Sequence, residues 1–539
     1  MPVTITETFA RLEAAKSERT TFDIHWQELA LLCLPTRDFL RQLIPQGEKR
    51  TNFIFNATAP NAVDSLAAAM YFTLTNPSDR WFNLELEAVE PDDVDQDARD
   101  WLFDTTTRAL NYLATPLSGF PMAAYEVYQD LAAFGSSVCQ AGPPRNGRLR
   151  FVARALAGTY YLDDDEGEIS DVFRIMDVRL RHLARMFQLD PQLDRMAADA
   201  KGGEEKMKLI HHVWDRGAES DPYSPSNLAM RWGSRYCLDG EKRSELSVSG
   251  FRRNPYLTPR WSKTAEETYG RGPAMSVLPD IKMVNRMSKD QAQAGAMKTR
   301  PPVNVWDASV KRKQLNLDPG GINTLNSTAR FPPTFMQTGA DPAAAQAMIE
   351  HTEAKIEKAF YLDMLELPLV RRSHSAMTAE EIMARRQQAF ARAAPITGRL
   401  QGEWCQPAVE RTVMWQLETG KLLPVPASLR GRSIKPVFTS PLAQSQRQRE
   451  SDNLVETIQQ ALPVLGLDPG ASMNIDADKA LRAIWGNRNA DPRILRRPRV
   501  VAGMKEREAE QQALAQGAAT AKDLASAAKD ASAAQLPAA

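Results

Sequence analysis

Two clusters in this 539-residue chain carry side chains that could hold a metal ion. His211-His212, with Asp215 close behind, offers two imidazoles and a carboxylate. Asp163-Asp164-Asp165-Glu166-Gly167-Glu168 has the acidic density of a calcium loop. Neither spacing suits the ion. Adjacent residues of a strand point to opposite faces, so His211 and His212 cannot converge, and one of them is expected at the surface. A calcium loop needs its sharp-turn glycine at the sixth position and a bidentate glutamate at the twelfth. Counted from Asp163, Gly167 is fifth and the twelfth residue is Arg174. The acidic run therefore reads as a turn tip, and neither metal nor cofactor is expected.

Other catalytic signatures are missing. No G-x-x-x-x-G-K-[ST] loop is present to cradle phosphates, so the chain does not read as a phosphate-loop ATPase, and there is no H-E-x-x-H. No Ser/His/Asp or Cys/His set carries a local signature. No catalytic residue is expected.

A chain of this length exceeds what one hydrophobic core usually serves, so two or more structural units are expected. The 67 basic and 67 acidic side chains cancel, which argues against a tight non-specific nucleic-acid binder. It leaves room for a protein that DNA merely passes through. Cys33, Cys139, Cys237 and Cys405 are scattered and read as reduced, partly buried residues. Met1-Pro2-Val3-Thr4 lacks the order of a signal peptide, and no apolar run approaches the ~20 residues that span a bilayer.

Helical spacing of Phe9, Leu12 and Ala15, then Trp26, Leu29 and Ala30, predicts a first helix over 6–34 that Pro35 ends. A second is expected from about Ala59 to Leu74, and others over 97–113 and 122–134. Trp81 to Glu87 ends in the alternation of a half-buried strand. From Gly135 to Trp261 the pattern turns α+β. Strands are expected around Leu149–Ala153, Tyr160–Leu162, Val172–Met176, Ile210–Trp214 and Leu246–Phe251, with a short helix over 178–187. A helix from about Pro279 to Lys298 is stopped by Arg300-Pro301-Pro302. Val303 to Gly339, with Pro319-Gly320-Gly321 and Pro332-Pro333, reads as a small strand-and-turn excursion. Asp341 should cap a second helix running to about Asp363, and 365–376 a loop. Thr378 with Glu381 forms a capping box, bracketed by Met377 and Ile382 as a hydrophobic staple, opening a third helix. That helix is interrupted at Pro395 and resumes to Glu418. A strand at Ile434–Phe438 precedes helices over 440–465 and 476–485. The end, from about Gly517, has few large apolar residues and is expected to fray unless packing between copies orders it.

Four features in a shared order resemble the portal proteins of short-tailed, podovirus-type bacteriophages, from about Arg19 to Arg447. The first is Arg19, Trp26 and Pro35, followed by Leu74-Thr75-Asn76-Pro77 and Trp81-Phe82-Asn83-Leu84. The second is Phe134-Gly135 and the acidic turn before Phe173-Arg174. The third is Asn254-Pro255-Tyr256 and Arg260-Trp261, leading to Tyr269-Gly270-Arg271-Gly272-Pro273. The fourth is Met377-Thr378-Ala379-Glu380-Glu381-Ile382 with Pro441-Leu442-Ala443-Gln444. Asn56 departs from the family, which often has an acidic residue there, and the chain beyond about Asp468 matches least.

The resemblance implies an α+β, mostly helical portal fold assembled as a cyclic ring. Its regions would be a wing over 1–270, a first stem helix over 271–299, a clip over 300–338 and a second stem helix over 339–364. A tunnel loop over 365–378, a long helix returning to the wing over 379–425, a crown over 426–502 and an Ala-rich tail or barrel over 503–539 would follow. It also implies a ring, dodecameric in the family, at one capsid vertex, assembled in the host cytoplasm and then part of the virion. Double-stranded DNA would pass through it without sequence-specific contact. Major capsid and scaffolding proteins, terminase, and tail adaptor or nozzle proteins would be its partners, with no membrane involved. The competing readings are a DNA-processing enzyme of the packaging machinery, disfavoured by the missing phosphate loop, and a head-tail adaptor, generally a much shorter chain.

Three sets of residues are the candidate contacts. Glu350, Glu353 and Glu357 share a helix face and could line the channel, repelling phosphates and keeping the wall slippery; a solvated face, or pairing with Lys282 or Lys289, is the plain alternative. Arg371, Arg372 and His374 lie in the loop that would project into the channel, or pair with Glu380 and Glu381. Lys311-Arg312-Lys313 sit where the family docks the packaging motor or tail adaptor, if they are not simply a solvated turn. The Arg493, Arg496, Arg497 and Arg499 cluster reads equally as a DNA contact or a solvated linker.

Overall fold

The Thr4 side chain accepts a hydrogen bond from the Glu7 amide at 3.2 Å and starts the first helix, α1 (Ile5–Leu32). In the computed structural model, the described residues are 3–37, 49–87, 95–142, 147–189, 191–199, 201–217, 220, 226–240, 243–306, 316–325, 327, 332–336, 342–362, 395–439, 451–461, 476–487, 494–496 and 498–533. After α1 come α2 (Thr58–Leu74), β1 (Phe82–Leu86), α3 (Gln96–Ala114), α4 (Phe120–Phe134), β2 (Val138–Ala141), β3 (Phe151–Arg154), β4 (Thr159–Asp163) and β5 (Ile169–Arg179). Next are α5 (Leu180–Met186), α6 (Pro191–Ala198), β6 (Lys206–Asp215), β7 (Trp232–Asp239), β8 (Ser244–Phe251), β9 (Tyr256–Leu257), α7 (Pro273–Ser276) and α8 (Leu278–Thr299). Three short strands, β10 (Val303–Trp306), β11 (Ile322–Leu325) and β12 (Thr334–Phe335), precede α9 (Pro342–Ala359). Helix Gln406–Glu418, strand β13 (Ile434–Phe438) and helices Ala477–Asn487 and Pro498–Ala533 follow. The chain divides into two units: Met1–Trp81 with Arg108–Leu422, and Phe82–Thr107 with Leu423–Ala539.

In the larger unit an antiparallel sheet runs β4-β5-β6-β7-β8. One face takes the apolar side of α1: Phe9, Leu12 and Ala15 pack on Phe173, Ile210 and Cys237. The other face is covered at one end by α5, where Leu180 and Leu183 meet Leu209 and Leu238. There Tyr256 of β9 also reaches across to His211. This double cover corrects the expectation of a surface histidine. His211 and His212 do point to opposite faces, yet both are buried, because neither face is left to water.

A second, smaller sheet runs β3-β2-β9. Beside it α4 is largely enclosed, with Tyr128 bonded through its hydroxyl to Thr75 and Trp404. The four cysteines are free and buried. A π-helical turn, Gln401–Cys405, precedes Gln406–Glu418; sequence periodicity gave no sign of it. Strand β7 was likewise unanticipated, since Trp232-Gly233-Ser234-Arg235-Tyr236 mixes polar and aromatic residues on both faces of a sheet buried on both sides.

In the smaller unit β1 pairs antiparallel with β13, and the Trp101 indole donates to the Leu423 carbonyl at 2.9 Å. The expectation of a frayed end is corrected: Pro498–Ala533 is helical. Alanine is the strongest helix former, so an Ala-rich segment forms this helix without an apolar face to bury. The capping box and staple, Asp341, and Pro441–Gln444 lie outside the described residues.

Candidate functional site

Residues far apart in sequence meet at the foot of α8. Tyr269-Gly270-Arg271-Gly272-Pro273 crosses the C-terminal end of α4, where Gly135 closes the helix in a left-handed conformation (φ 74°). The two segments touch backbone to backbone. A Cβ on Gly135 would stand 2.2 Å from the Gly272 nitrogen, and one on Gly270 2.3 Å from the Gly135 carbonyl oxygen. No side chain could rotate away from either contact. The Gly270 amide donates to the Ser136 hydroxyl at 2.8 Å.

Aromatic and cationic side chains close around this crossing. Tyr269 packs on Tyr161 (4.2 Å between centroids), Trp26 (5.3 Å) and Phe22 (5.5 Å). The Trp26 indole donates to the Phe134 carbonyl at 2.9 Å, one residue before the glycine. Arg19, buried, donates to the carbonyls of Leu156, Ala157 and Thr159 at 2.7–3.0 Å and lies 3.6 Å over Tyr160. Arg260 donates to Glu403 at 2.8 Å, and its own amide reaches the same carboxylate at 2.8 Å; the π turn presents that glutamate. Asp130, near the end of α4, is wholly buried beside Arg37 and accepts from Ser137. Burial pushes its carboxyl up to about 6, against the pull of the guanidinium. The site is a rigid footing for a helix.

From that footing α8 runs out and α9 returns. Asn56 touches Ser288 of α8 and Glu353 of α9, while Gln291 bonds Gln346. As numbers rise on α8 they fall on α9, so the pair is antiparallel. At its far end β10 pairs with β11 in parallel and with β12 antiparallel. Val284 and Ile281 of α8, with Ile349, Thr352 and Ile356 of α9 and Phe360 just after it, are buried.

Asn56 is the residue sequence reasoning missed. Its amide group donates to Glu353 at 2.7 Å and to Ser288 at 3.2 Å, its carbonyl caps the Thr58 amide, and its own amide binds Asn285. Asn-x-Thr just ahead of α2, the pattern of an Asx-turn, was the available signal.

The three glutamates of α9 have different surroundings. Glu350 is exposed and accepts from Gln346 at 2.9 Å; Glu353 is half-buried against Asn56; Glu357 is half-buried. The suggested lysine partners are engaged elsewhere: Lys282 binds Glu28 at 2.6 Å, and Lys289 sits 5.2 Å over Phe55. Arg371, Arg372, His374 and Lys311–Lys313 lie outside the described residues, as do Arg493 and Arg497.

One buried set has the order of a catalytic relay. Asp171 Oδ1 lies 2.8 Å from His212 Nε2, and His212 Nδ1 lies 3.2 Å from Thr8 Oγ1. All three side chains are enclosed, and the Thr8 hydroxyl also accepts from Arg235 at 3.1 Å. With no path for substrate, the set ties α1 to the sheet and performs no chemistry. His211 is held between Tyr256 (2.6 Å) and Ser234 (3.0 Å), and burial lowers its pKa to about 3. The acidic turn is held by Lys263 and Thr268 on Asp163. Among the described residues no group of His, Cys, Asp or Glu could hold a metal, and no helix is long and apolar enough to cross a membrane.

Residues 6–495 match the family described as bacteriophage head to tail connecting protein. The chain belongs to that family. It is 27% identical over 510 residues to a "Probable portal protein" of Bordetella phage BPP-1, covering 94% of this chain and 91% of the relative. It is 24% identical over 523 residues to the "Portal protein" of Salmonella phage epsilon15, covering 95% and 93%. Among solved structures it matches a chain from "Neck of native GTA particle computed with C12 symmetry" at 10% identity and a TM-score of 0.34, covering 75% and 87% of the two chains. The protein is thus a structural head-tail connector of the portal kind, a component of the phage particle and not an enzyme.

Proposed function

We propose that this connector forms a closed ring of twelve copies at one capsid vertex, through which double-stranded DNA is packaged and later ejected. The observation that carries the reading is the antiparallel α8–α9 pair, bearing a small sheet at its tip and seated on the glycine crossing. A subunit whose projecting helices have a fixed base can tile around an axis, since a head-to-tail contact that closes by rotation gives a cyclic oligomer. In this reading α8 and α9 are the stem, the three-stranded excursion the clip, the α1-covered sheet part of the wing, and 426–502 the crown. Major capsid and scaffolding proteins meet the ring during assembly in the host cytoplasm. Terminase and then tail proteins dock at the clip, where Lys311, Arg312 and Lys313 belong. DNA contacts are to phosphate and not to sequence, with Arg371, Arg372 and His374 at the loop that enters the channel.

Glu350, with its exposed carboxylate, is the best placed of the three glutamates to face the conduit; Glu353 and Glu357 complete the same side. The test of the assembly is native mass spectrometry with negative-stain images of the purified protein. A ring of about a dozen copies with a central hole supports the reading; a folded, stable monomer or dimer overturns it. For the wall, glutamine at all three glutamates should alter packaging rate or DNA retention. Unchanged values would remove the channel-lining role.

A further inference from the structure

A cleft of about 1280 Å³ opens in the larger unit, and none of its lining residues belongs to α8 or α9. Its walls are the start of β7, the segment after β8, and the helical stretch from Pro395 to Met414. Six arginines line it: Arg231, Arg252, Arg253, Arg260, Arg399 and Arg411, against the carboxylates of Glu168, Glu403 and Glu410. The pairing is uneven. Arg231 is matched by Asp215 at 3.0 Å and Arg253 by Glu410 at 2.6 Å. Arg260 and Arg399 share the single carboxylate of Glu403. Arg252 has its nearest carboxylate, Glu418, at 3.8 Å, beyond hydrogen-bond reach. Arg411 pairs with no carboxylate among the described residues. It holds the Arg253 carbonyl at 3.4 Å, with Phe251 6.0 Å away.

Arg411 is half-buried, and burial holds its guanidinium below the ordinary arginine range. Glu418 is the carboxylate whose charge reaches Arg411, and the same group is the distant partner of Arg252. Two guanidinium groups thus share one carboxylate that neither pairs with directly, and a guanidinium fork is matched best by a carboxylate in contact. Between the arginines the lining holds the apolar Trp232, Leu257 and Met414 beside the polar Ser220, Asn254 and Thr258. We propose that this cleft binds an acidic peptide segment of a partner protein, whose carboxylates meet Arg252 and Arg411 while its apolar side chains lie on Trp232, Leu257 and Met414. A DNA duplex offers an approaching surface chiefly its phosphates and would leave those three residues unused.

The test uses the full-length protein and a fluorescein-labelled peptide of about ten residues alternating Glu and Leu, followed by anisotropy. One charge-assisted hydrogen bond removed corresponds to roughly tenfold in affinity. Saturable binding is expected, weakened by about that factor in Arg252→Gln and in Arg411→Gln, and weakened by added salt. A Lys/Leu counterpart should not bind. Arg252 is exposed, so its variant tests the contact without threatening the fold; a melting curve checks the Arg411 variant. The proposal is overturned by absence of saturable binding, or by parental affinity in both variants. Displacement of the peptide by oligo-dT at lower concentration than by unlabelled peptide also overturns it, reassigning the cleft to nucleic acid. Ring formation is read separately by native mass, so failure here leaves the portal reading standing.

Discussion

Replacing Gly135 by alanine should damage the footing of α8 far more than the same change at Gly420. Both glycines follow a helix in the left-handed region, at φ 74° and 67°. They differ in what an added methyl would meet: nothing within 4 Å at Gly420, and the Gly272 nitrogen at 2.2 Å at Gly135. The left-handed backbone costs an alanine about 1–2 kcal/mol, offset by about 0.4–1 kcal/mol from the stiffer unfolded chain. Gly420→Ala should therefore cost no more than about 1.5 kcal/mol. Gly135→Ala carries the same balance plus an overpacking cost of about 1–3 kcal/mol, and the clashing atom is backbone, so the upper half of that range applies. Gly272→Ala isolates the contact, since its φ of −95° is ordinary and its Cβ would lie 2.7 Å from backbone atoms of Gly135 and Leu131. Urea unfolding followed by tryptophan fluorescence measures all three. Equal midpoints for Gly135→Ala and Gly420→Ala, or a parental midpoint for Gly272→Ala, would refute the close approach as the reason for these glycines.

Asn56→Asp replaces a donor by a second carboxylate 2.7 Å from Glu353. It should cost about 1 kcal/mol at neutral pH, allowing for solvent screening of two half-exposed groups. That cost should shrink in urea midpoints as pH falls into the carboxylate range. Trp26→Phe removes the indole's hydrogen bond to the Phe134 carbonyl and should cost about 0.5–1.5 kcal/mol by the same method. His211 has a folded pKa depressed to about 3, so its contribution is full above the unfolded value of about 6.5 and is lost as pH falls. Between pH 7.5 and 5, His211→Gln should gain roughly 2 kcal/mol relative to the parent. Asp130, raised to about 6, runs the other way in both proteins, so only the difference between them is diagnostic; a constant difference would contradict the assignment.

Helices with one buried side were legible in the sequence because their spacing records a single boundary with water. α1, α2 and α8 begin and end within a residue or two of where apolar spacing and proline place them. The five-stranded sheet was legible only in part. Its strands are covered on both faces, so alternation between core and solvent, the signal that betrays a strand, fails at Trp232–Asp239 and misleads at His211-His212. The π turn at Gln401–Cys405 adds one residue to a helical turn for the sake of Glu403, whose partner Arg260 lies far back in the chain. Local pattern cannot carry that information. The signature residues were visible one by one, as Arg19, Trp26, Phe134-Gly135 and Tyr269 to Pro273. Their gathering at one crossing was not, because glycines that touch through their backbones leave no apolar periodicity behind. Asn56 was set aside as a departure, although its four hydrogen bonds join the start of α2 to both helices of the pair.

The terminal helix, Pro498–Ala533, has a consequence for how this protein can vary in size. Leu514 and Leu524 are exposed along it, and each turn is held by its own hydrogen bonds and by alanine's propensity. Such a helix is a ruler with about 1.5 Å between its marks. From Glu506 to Leu514 every side chain is exposed, so whole turns can be removed or inserted there without opening a cavity, each turn changing the reach by about 5.4 Å. Length here is free to follow whatever the helix must reach, while the footing of α8 tolerates not even a methyl group.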